Sequence, residues 1–420
     1  MPSEVDVNRT AGRVDDELIE VEEARRRVLE WARPLPGEPV ALPDALGRVL
    51  ASDVAAATDV PGFDNSAMDG YAVRARDTAK APVVLAVVGE SSAGRPARAP
   101  VTPGRAVRIS TGAMLPDGAD AVVRVEDTRA ERDVEIEIAV PVEEGRYVRR
   151  AGEDIQMGDV VLHRGTRLGP AELGVLASLG LEHAPCARRP VAAVITTGDE
   201  LVAPGEPLGP GGIYDSNRFS VPAQVRVAGA EVASAGTLPD DRQATIDGLR
   251  RALDADVVVV CGGVSVGPHD HVKSALEELG VHEVFWGVAL RPGKPTWFGV
   301  HGRDAPRTLV FGLPGNPVSA LVTFHLFVRP AMARLVGAAP DERRTVAIMD
   351  TEYRKAPGRA HVVRCRAEAL DDGWHVRPTG PQGSHVLTSM LGADALALLP
   401  AERGDVGVGE RVTIELIDRQ

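Results

Sequence analysis

The chain has 420 residues, of which 47 are basic and 60 acidic, giving a net charge of −13; that length predicts roughly two to four domains with separate cores. An acidic chain without a basic stripe is a poor partner for nucleic acid, whose phosphates need clustered Lys and Arg. The cysteines, Cys186, Cys261 and Cys365, are far apart and odd in number, which suggests neither a disulfide framework nor a Cys-x-x-Cys zinc site.

A reducing, cytoplasmic setting fits. The acidic N-terminus has no apolar signal-peptide core, and we expect no apolar run of bilayer length, hence no membrane partner. The 44 glycines and 32 prolines point to many turns and short elements. With only 7 Phe, 4 Trp and 4 Tyr, the cores are expected to be mainly Ala, Val and Leu.

After a polar leader to Asp16, Val21, Ala24, Val28 and Leu29 recur at helical spacing, and Pro34 and Pro36 end that helix. A glycine-marked loop, PGFDNSAMDGYAVR, covers residues 61–74. From 82 to 150 short β-rich runs (VVLAVVG, AVVRVED, VEIEIAV) alternate with Pro, Gly and charged turns, which reads as a small inserted β domain. A helical segment around 170–181 follows.

Between Pro190 and about Val336 strands and helices alternate: strands at 191–196, 231–238, 256–260 and 308–312, helices at 219–228, 241–253, 269–279 and 317–335. That alternation predicts a parallel, doubly wound sheet. The stretch 345–420 (VVRCRAEA, WHVRP, RVTIELI) reads as a small all-β domain.

Ligands of such sheets bind beyond the carboxyl ends of the strands, where three loops carry unusual residues. TTGDEL (196–201) joins two threonines to adjacent carboxylates, suited to a hydrated Mg²⁺ or simply to capping. CGGVSVGPHDHVK (261–273) contains Gly263-Val264-Ser265-Val266-Gly267, the spacing of a hydrolase nucleophile elbow. It lacks an HGGG-type partner, and its helix signal starts only after Pro268. Pro268 also stands where a phosphate loop needs lysine. What remains is a glycine-rich turn whose N–H groups can face an anion. His269 and His271, two apart, do not share a helix face and make a poor zinc pair.

LPGNPVSA (313–320) places Asn316 at an N-cap and Pro317 at the first helical position. LRPGKP (290–295) adds Arg291 and Lys294, a small cationic patch in an acidic chain. Elsewhere FDNSAMDGYAV (63–73) is dense in Asx residues, with Phe63, Met68 and Tyr71 as expected packing anchors. RRAGEDI (149–155) and PQGSH (381–385) read as a charge cluster and a turn.

Taken together and in this order, FDNSAMDGYAVR, STGAMLPDGAD (110–120), RRAGEDI, TTGDEL, GGVSVGPHDHVK, RPGKP, LPGNPVSA and QGSH resemble the molybdopterin molybdenumtransferase (MoeA) family, similar to the E domain of gephyrin. The resemblance covers the chain from about Val21 onward. It implies a mixed α/β and β multidomain protein: a linking and dimerisation domain (17–60 and 151–188), an inserted β domain (61–150), a doubly wound MogA/MoaB-like α/β domain that binds molybdopterin (189–338) and a C-terminal β-barrel-like domain (339–420).

The implied activity is insertion of molybdate into adenylylated molybdopterin, with Mg²⁺-dependent cleavage of the adenylate and release of molybdenum cofactor and AMP. The implied assembly is a homodimer whose cleft lies between the α/β domain of one subunit and the polar loops of the other. A non-catalytic carrier or scaffold is the other reading. A MogA-type adenylyltransferase and molybdoenzyme apoproteins are the implied protein partners.

By motif position the resemblance assigns catalytic roles to Asp69, Asp154, Glu200 and Asp270, and metal binding to Glu200, Asp240 and Asp270. Substrate binding falls to Thr111, Arg149, Thr197, Gly198, Asp240, Gly262, Gly263, Ser265, Gly267, Pro314, Gly315 and Asn316. Molybdate falls to Arg291, Lys294, Pro295, Ser319, Arg359 and Ser384. Arg291 stands where the family commonly has lysine, a planar fork in place of a point donor.

Overall fold

The computed structural model describes residues 18–132, 134–264, 271–302, 307–340 and 343–417. Chain contacts divide the molecule into two units, 1–38 with 47–51 and 185–420, and 39–46 with 52–184. In the first unit helix α1 (Val21–Trp31) forms because Ala24 and Val28 share a buried stripe with Arg25. Glu22 and Glu23 sit in its first turn, where carboxylates complement the helix dipole.

The other unit carries a six-stranded sheet made of β1 (Gly70–Val73), β2 (Val83–Ser91), β3 (Arg105–Ile109), β4 (Ala121–Arg124), β5 (Thr128–Arg132) and β6 (Glu135–Ile138), in the order β4-β1-β3-β2-β6-β5. Only β2 and β3 run parallel. One face is covered by a small core including Val73, Leu85, Val123, Ile136 and Ile138. Helix α2 (Pro170–Ser178) starts on Pro170, and the Glu172 carboxylate accepts the Gly169 N–H at 2.9 Å, a capping-box contact.

Returning to the first unit, the α/β domain contains β7 (Val191–Thr197), α3 (Asn217–Val227), β8 (Glu231–Leu238), α4 (Arg242–Ala252), β9 (Val257–Cys261), α5 (His271–Glu278), β10 (His282–Trp286), β11 (Leu290–Arg291), β12 (Trp297–His301), β13 (Thr308–Leu313), α6 (Pro317–Thr323) and α7 (Arg329–Leu335). Its main sheet is ordered β8-β7-β9-β13-β12-β10. The four strands from β8 to β13 are parallel, while β12 and β10 are antiparallel to their neighbours. This departs from the expected all-parallel sheet. The 10 residues from β10 to β12 contain no helix to carry a right-handed crossover, so the chain folds back.

The few aromatics concentrate here: Phe298 stacks between Phe285 and Phe311, with ring centroids 5.7 and 4.9 Å apart. A π turn (Phe324–Val328) joins α6 to α7. The run 317–335 is long and apolar enough to cross a membrane by composition, contrary to expectation, and 83% of it is buried inside the fold. It is a core helix.

The C-terminal domain comprises β14 (Arg344–Met349), β15 (Ala360–Leu370), β16 (Gly373–Pro378), β17 (Ala395–Leu399) and β18 (Arg411–Leu416). β17 pairs with both β18 and β15, which closes the ladder into a small barrel. β11 adds to its edge in parallel with β15, so a piece of the α/β domain's chain becomes a strand of the C-terminal sheet.

Candidate functional site

In the unit bearing β1 to β6, two short strands, Asn65–Ser66 and Val148–Arg149, pair antiparallel with Arg149 opposite Asn65. The Asp64 carboxylate accepts the Ala151 N–H at 2.9 Å and an Arg150 guanidinium N–H at 2.5 Å. The Ala151 amide, then the Arg150 charge, hold its carboxyl below the ordinary range against the opposing pull of burial. Asp69 and Thr111 are both exposed and directly bonded, and Arg149 and Asp154 are exposed on the same run of chain. Of the expected packing anchors, Tyr71 packs against the core of Val73 and Leu85 and Met68 is half-buried, but Phe63 is not buried. Phe63 is 40% exposed, while Asn65 and Ser66 are buried, because Ser66 bonds the Met68 carbonyl at 2.6 Å and Asn65 the Phe63 carbonyl at 3.2 Å.

At the carboxyl ends of β7 and β9 in the first unit, the Thr197 hydroxyl is buried without a hydrogen-bond partner among the described residues. An unmet buried hydroxyl costs free energy unless a ligand or water satisfies it. Glycines surround it. A Cβ on Gly262 would lie 2.8 Å from the Thr197 carbonyl oxygen, and one on Gly263 2.9 Å from the hydroxyl. Gly263 also has φ +65°, so only glycine fits without strain. Ser265, Gly267 and Asp270 lie outside the described residues, as do His269 and the leader to Asp16.

Next to this cradle, Asp199 and Asp240 clasp each other: the Asp240 N–H meets the Asp199 carboxylate at 3.0 Å and the Asp199 N–H meets Asp240 at 3.4 Å. The Glu200 carboxylate folds over Gly198, where a Cβ would lie 2.4 Å from its Oε2. Among the described residues no three His, Cys, Asp or Glu side chains cluster as a metal site. The hard oxygen donors present are still of the kind Mg²⁺ takes, usually one or two carboxylates with waters and substrate phosphates.

Sequence reasoning missed Asp215 and Asn217. Asp215 is 2% exposed and accepts the Thr196 and Thr237 hydroxyls at 2.5 and 2.9 Å and the Arg218 N–H at 3.0 Å. Asn217 donates to the Gly315 carbonyl at 2.7 Å, and its own oxygen is buried with no partner among the described residues. The signal was present as an Asp-Ser-Asn run before a helix, which reads as ordinary capping.

The molybdate candidates assemble from three elements. Arg291 ends β11; Ser319, 3% exposed, lies in α6; Arg359 and Ser384 come from the C-terminal domain. Asn316, expected to cap α6, makes no capping bond. Its amide donates to the Ser384 hydroxyl at 3.3 Å, and the Val318 N–H meets the Ser384 carbonyl at 3.3 Å. Exposed Arg291, Lys294 and Arg359 pair with no carboxylate among the described residues. Pro295 is half-buried beside them, and Pro314 is buried next to exposed Gly315.

Beneath this surface lies Arg364, fully buried. It donates to Ser389 at 3.1 Å and to the carbonyls of Gly383 and Pro381 at 3.2 and 3.5 Å. Burial presses its guanidinium below the usual range. Burial likewise pushes the thiols of Cys261 and Cys365 up to about 12, so both stay protonated and unreactive.

Fold and site together define a multidomain α/β protein with a glycine-lined cradle at its strand ends and exposed cations, Arg291, Lys294 and Arg359, on neighbouring chain. Three family models match the chain: the MoeA N-terminal region (domain I and II) at residues 19–180, a probable molybdopterin binding domain at 193–334, and the MoeA C-terminal region (domain IV) at 346–417. A molybdopterin molybdenumtransferase of Haemophilus influenzae is 40% identical over 405 residues, covering 95% of this chain and 98% of its own. Molybdopterin molybdenumtransferase 2 of Mycobacterium tuberculosis is 41% identical over 409 residues, 94% and 98%. The crystal structure of the molybdopterin biosynthesis MoeA protein from Pyrococcus horikoshii superposes with a TM-score of 0.81 at 33% identity, covering 96% of this chain and all of that one.

The chain belongs to the molybdopterin molybdenumtransferase family. It is a transferase of molybdenum cofactor biosynthesis.

Proposed function

We propose that the enzyme inserts molybdenum from molybdate into adenylylated molybdopterin and cleaves the adenylate, releasing molybdenum cofactor and AMP. The observation that carries this reading is the double site in one unit. The unmet Thr197 hydroxyl sits among Gly262 and Gly263 at the strand ends, and Asn316 ties the same domain to Ser384. The first can take the pterin and adenylate phosphates through backbone N–H groups. The second, with Arg291, Lys294 and Arg359, offers cations and hydroxyls to a tetrahedral dianion.

Glu200 and Asp240, with Asp270, would hold Mg²⁺. Bound there, the ion would neutralise phosphate charge as the anhydride is cleaved. The protein's own part is to orient: Asp215 fixes Thr196 and Thr237 below the cradle, and Asn217 fixes Gly315.

The working form is proposed to be a homodimer, with Asp69 and Asp154 supplied to the partner's cleft. Their exposure on loops held by paired short strands supports that assignment. A MogA-type adenylyltransferase would supply the substrate, and apoenzymes would receive the product. Purified protein incubated with adenylylated molybdopterin, Mg²⁺ and molybdate should release AMP; absence of AMP release refutes the reading.

A further inference from the structure

β11 and β15 pair in parallel with Arg291 opposite His361. That register sets an imidazole directly beside the first of the molybdate candidates, and Arg359 lies two residues before it on the same run of chain. His361 is 8% exposed. Its Nδ1 is 3.4 Å from the Tyr353 hydroxyl, and the two rings meet edge to face at 6.2 Å between centroids.

We propose that His361 is a further residue of the oxyanion site, taking up a proton from solvent as the tetrahedral dianion binds between Arg291 and Arg359. The inference rests on the molybdate-site reading above and adds a titrating group to it.

Arg291, Lys355 and Arg359 all bring positive charge to the imidazole. Burial first, then Arg291, Lys355 and Arg359, push it down to about 4. Lys355 is itself buried, with its ammonium on the carbonyls of Ala401 and Arg403 at 3.2 and 2.5 Å, so it cannot swing away. Tyr353 faces the ring as a neutral phenol. His361 also lines a cavity of about 320 Å³ whose charged members are Glu20, Glu22, Glu402 and Arg344.

At neutral pH the imidazole is therefore uncharged, and it is kept so by the same cations that attract an anion. A dianion between Arg291 and Arg359 offsets their repulsion, and the affinity of His361 for a proton rises. Linkage makes the effect reciprocal: protonated His361 binds the dianion more tightly, so affinity grows as pH falls. A single proton limits the gain to about tenfold per pH unit.

Isothermal titration of the full-length protein with sodium molybdate, between pH 6 and 8 and in two buffers of different ionisation enthalpy, counts the proton. The wild type should take up a fraction of one proton and bind more tightly at pH 6. His361→Gln, which keeps a neutral polar group, should abolish both the uptake and the slope. Tyr353→Phe should retain the uptake and shift the pH at which it is half complete.

Molybdate binding with no net proton exchange, or unchanged uptake in a folded His361→Gln, overturns the role of His361 and leaves the oxyanion site standing. A wild type that binds no molybdate overturns both.

Discussion

Thr111 donates twice to Asp69, through its backbone N–H at 2.7 Å and its hydroxyl at 3.1 Å, both to the same carboxylate oxygen. Forty-two residues of chain separate the two, so the SAMDG and STG motifs meet in one place. The carboxylate is held in position through one of its two oxygens.

Asp69→Asn keeps an oxygen that can accept from Thr111 and removes only the charge. The urea midpoint should therefore hardly move, while AMP release should fall by at least about tenfold, roughly 1.4 kcal/mol of barrier. Equal turnover would remove Asp69 from the proposed catalytic set.

Glu415 is a buried hub. At 1% exposure it meets Arg25 at 3.0 Å, Arg344 at 2.9 Å, Arg329 at 3.5 Å and His325 Nε2 at 3.0 Å. These come from α1, β14, α7 and the π turn, so one carboxylate ties the C-terminal barrel to the α/β domain. Burial works to raise its pKa, but His325, Arg25 and Arg344 hold it down to about 2 from the ordinary 4.5. A depressed carboxylate stabilises the fold fully above its unfolded pKa, and that contribution is lost as pH falls from about 4.5 towards 2. Glu415→Gln should cost about 3–5 kcal/mol at pH 7 and flatten the decline of the urea midpoint between pH 5 and 3.

Gly263→Ala tests the cradle. The new methyl would lie 2.5 Å from Val272 Cγ2 at φ +65°, a strain of about 1–2 kcal/mol from the backbone alone. Equilibrium titration should show weakened binding of adenylylated molybdopterin, with molybdate binding retained.

Arg364→Lys shortens the fork that spans Gly383, Pro381 and Ser389. Loss of hydrogen bonds from a charged donor should destabilise by about 2–3 kcal/mol. Because the 381–384 loop carries Ser384, KM for molybdate should rise more than kcat falls in steady-state AMP release.

The α/β alternation was legible because β7, β9 and β13 are continuous apolar runs buried on both faces, and the helices between them carry their own period. The two antiparallel strands were not, since sheet direction depends on what joins strands rather than on their composition. Loop chemistry was readable as motifs, but the role of Asn316 was not: the same residue caps a helix or reaches another domain according to where Ser384 lies. His361 escaped notice because its environment is made by a cross-domain strand pairing, which no local pattern records.

The most direct measurement is AMP release and cofactor formation by the purified wild-type protein given adenylylated molybdopterin, with and without molybdate and Mg²⁺. The proposed reaction should give stoichiometric AMP and a product that activates a molybdoenzyme apoprotein only when all three are present. Tight binding of adenylylated molybdopterin with no AMP and no active cofactor would contradict it.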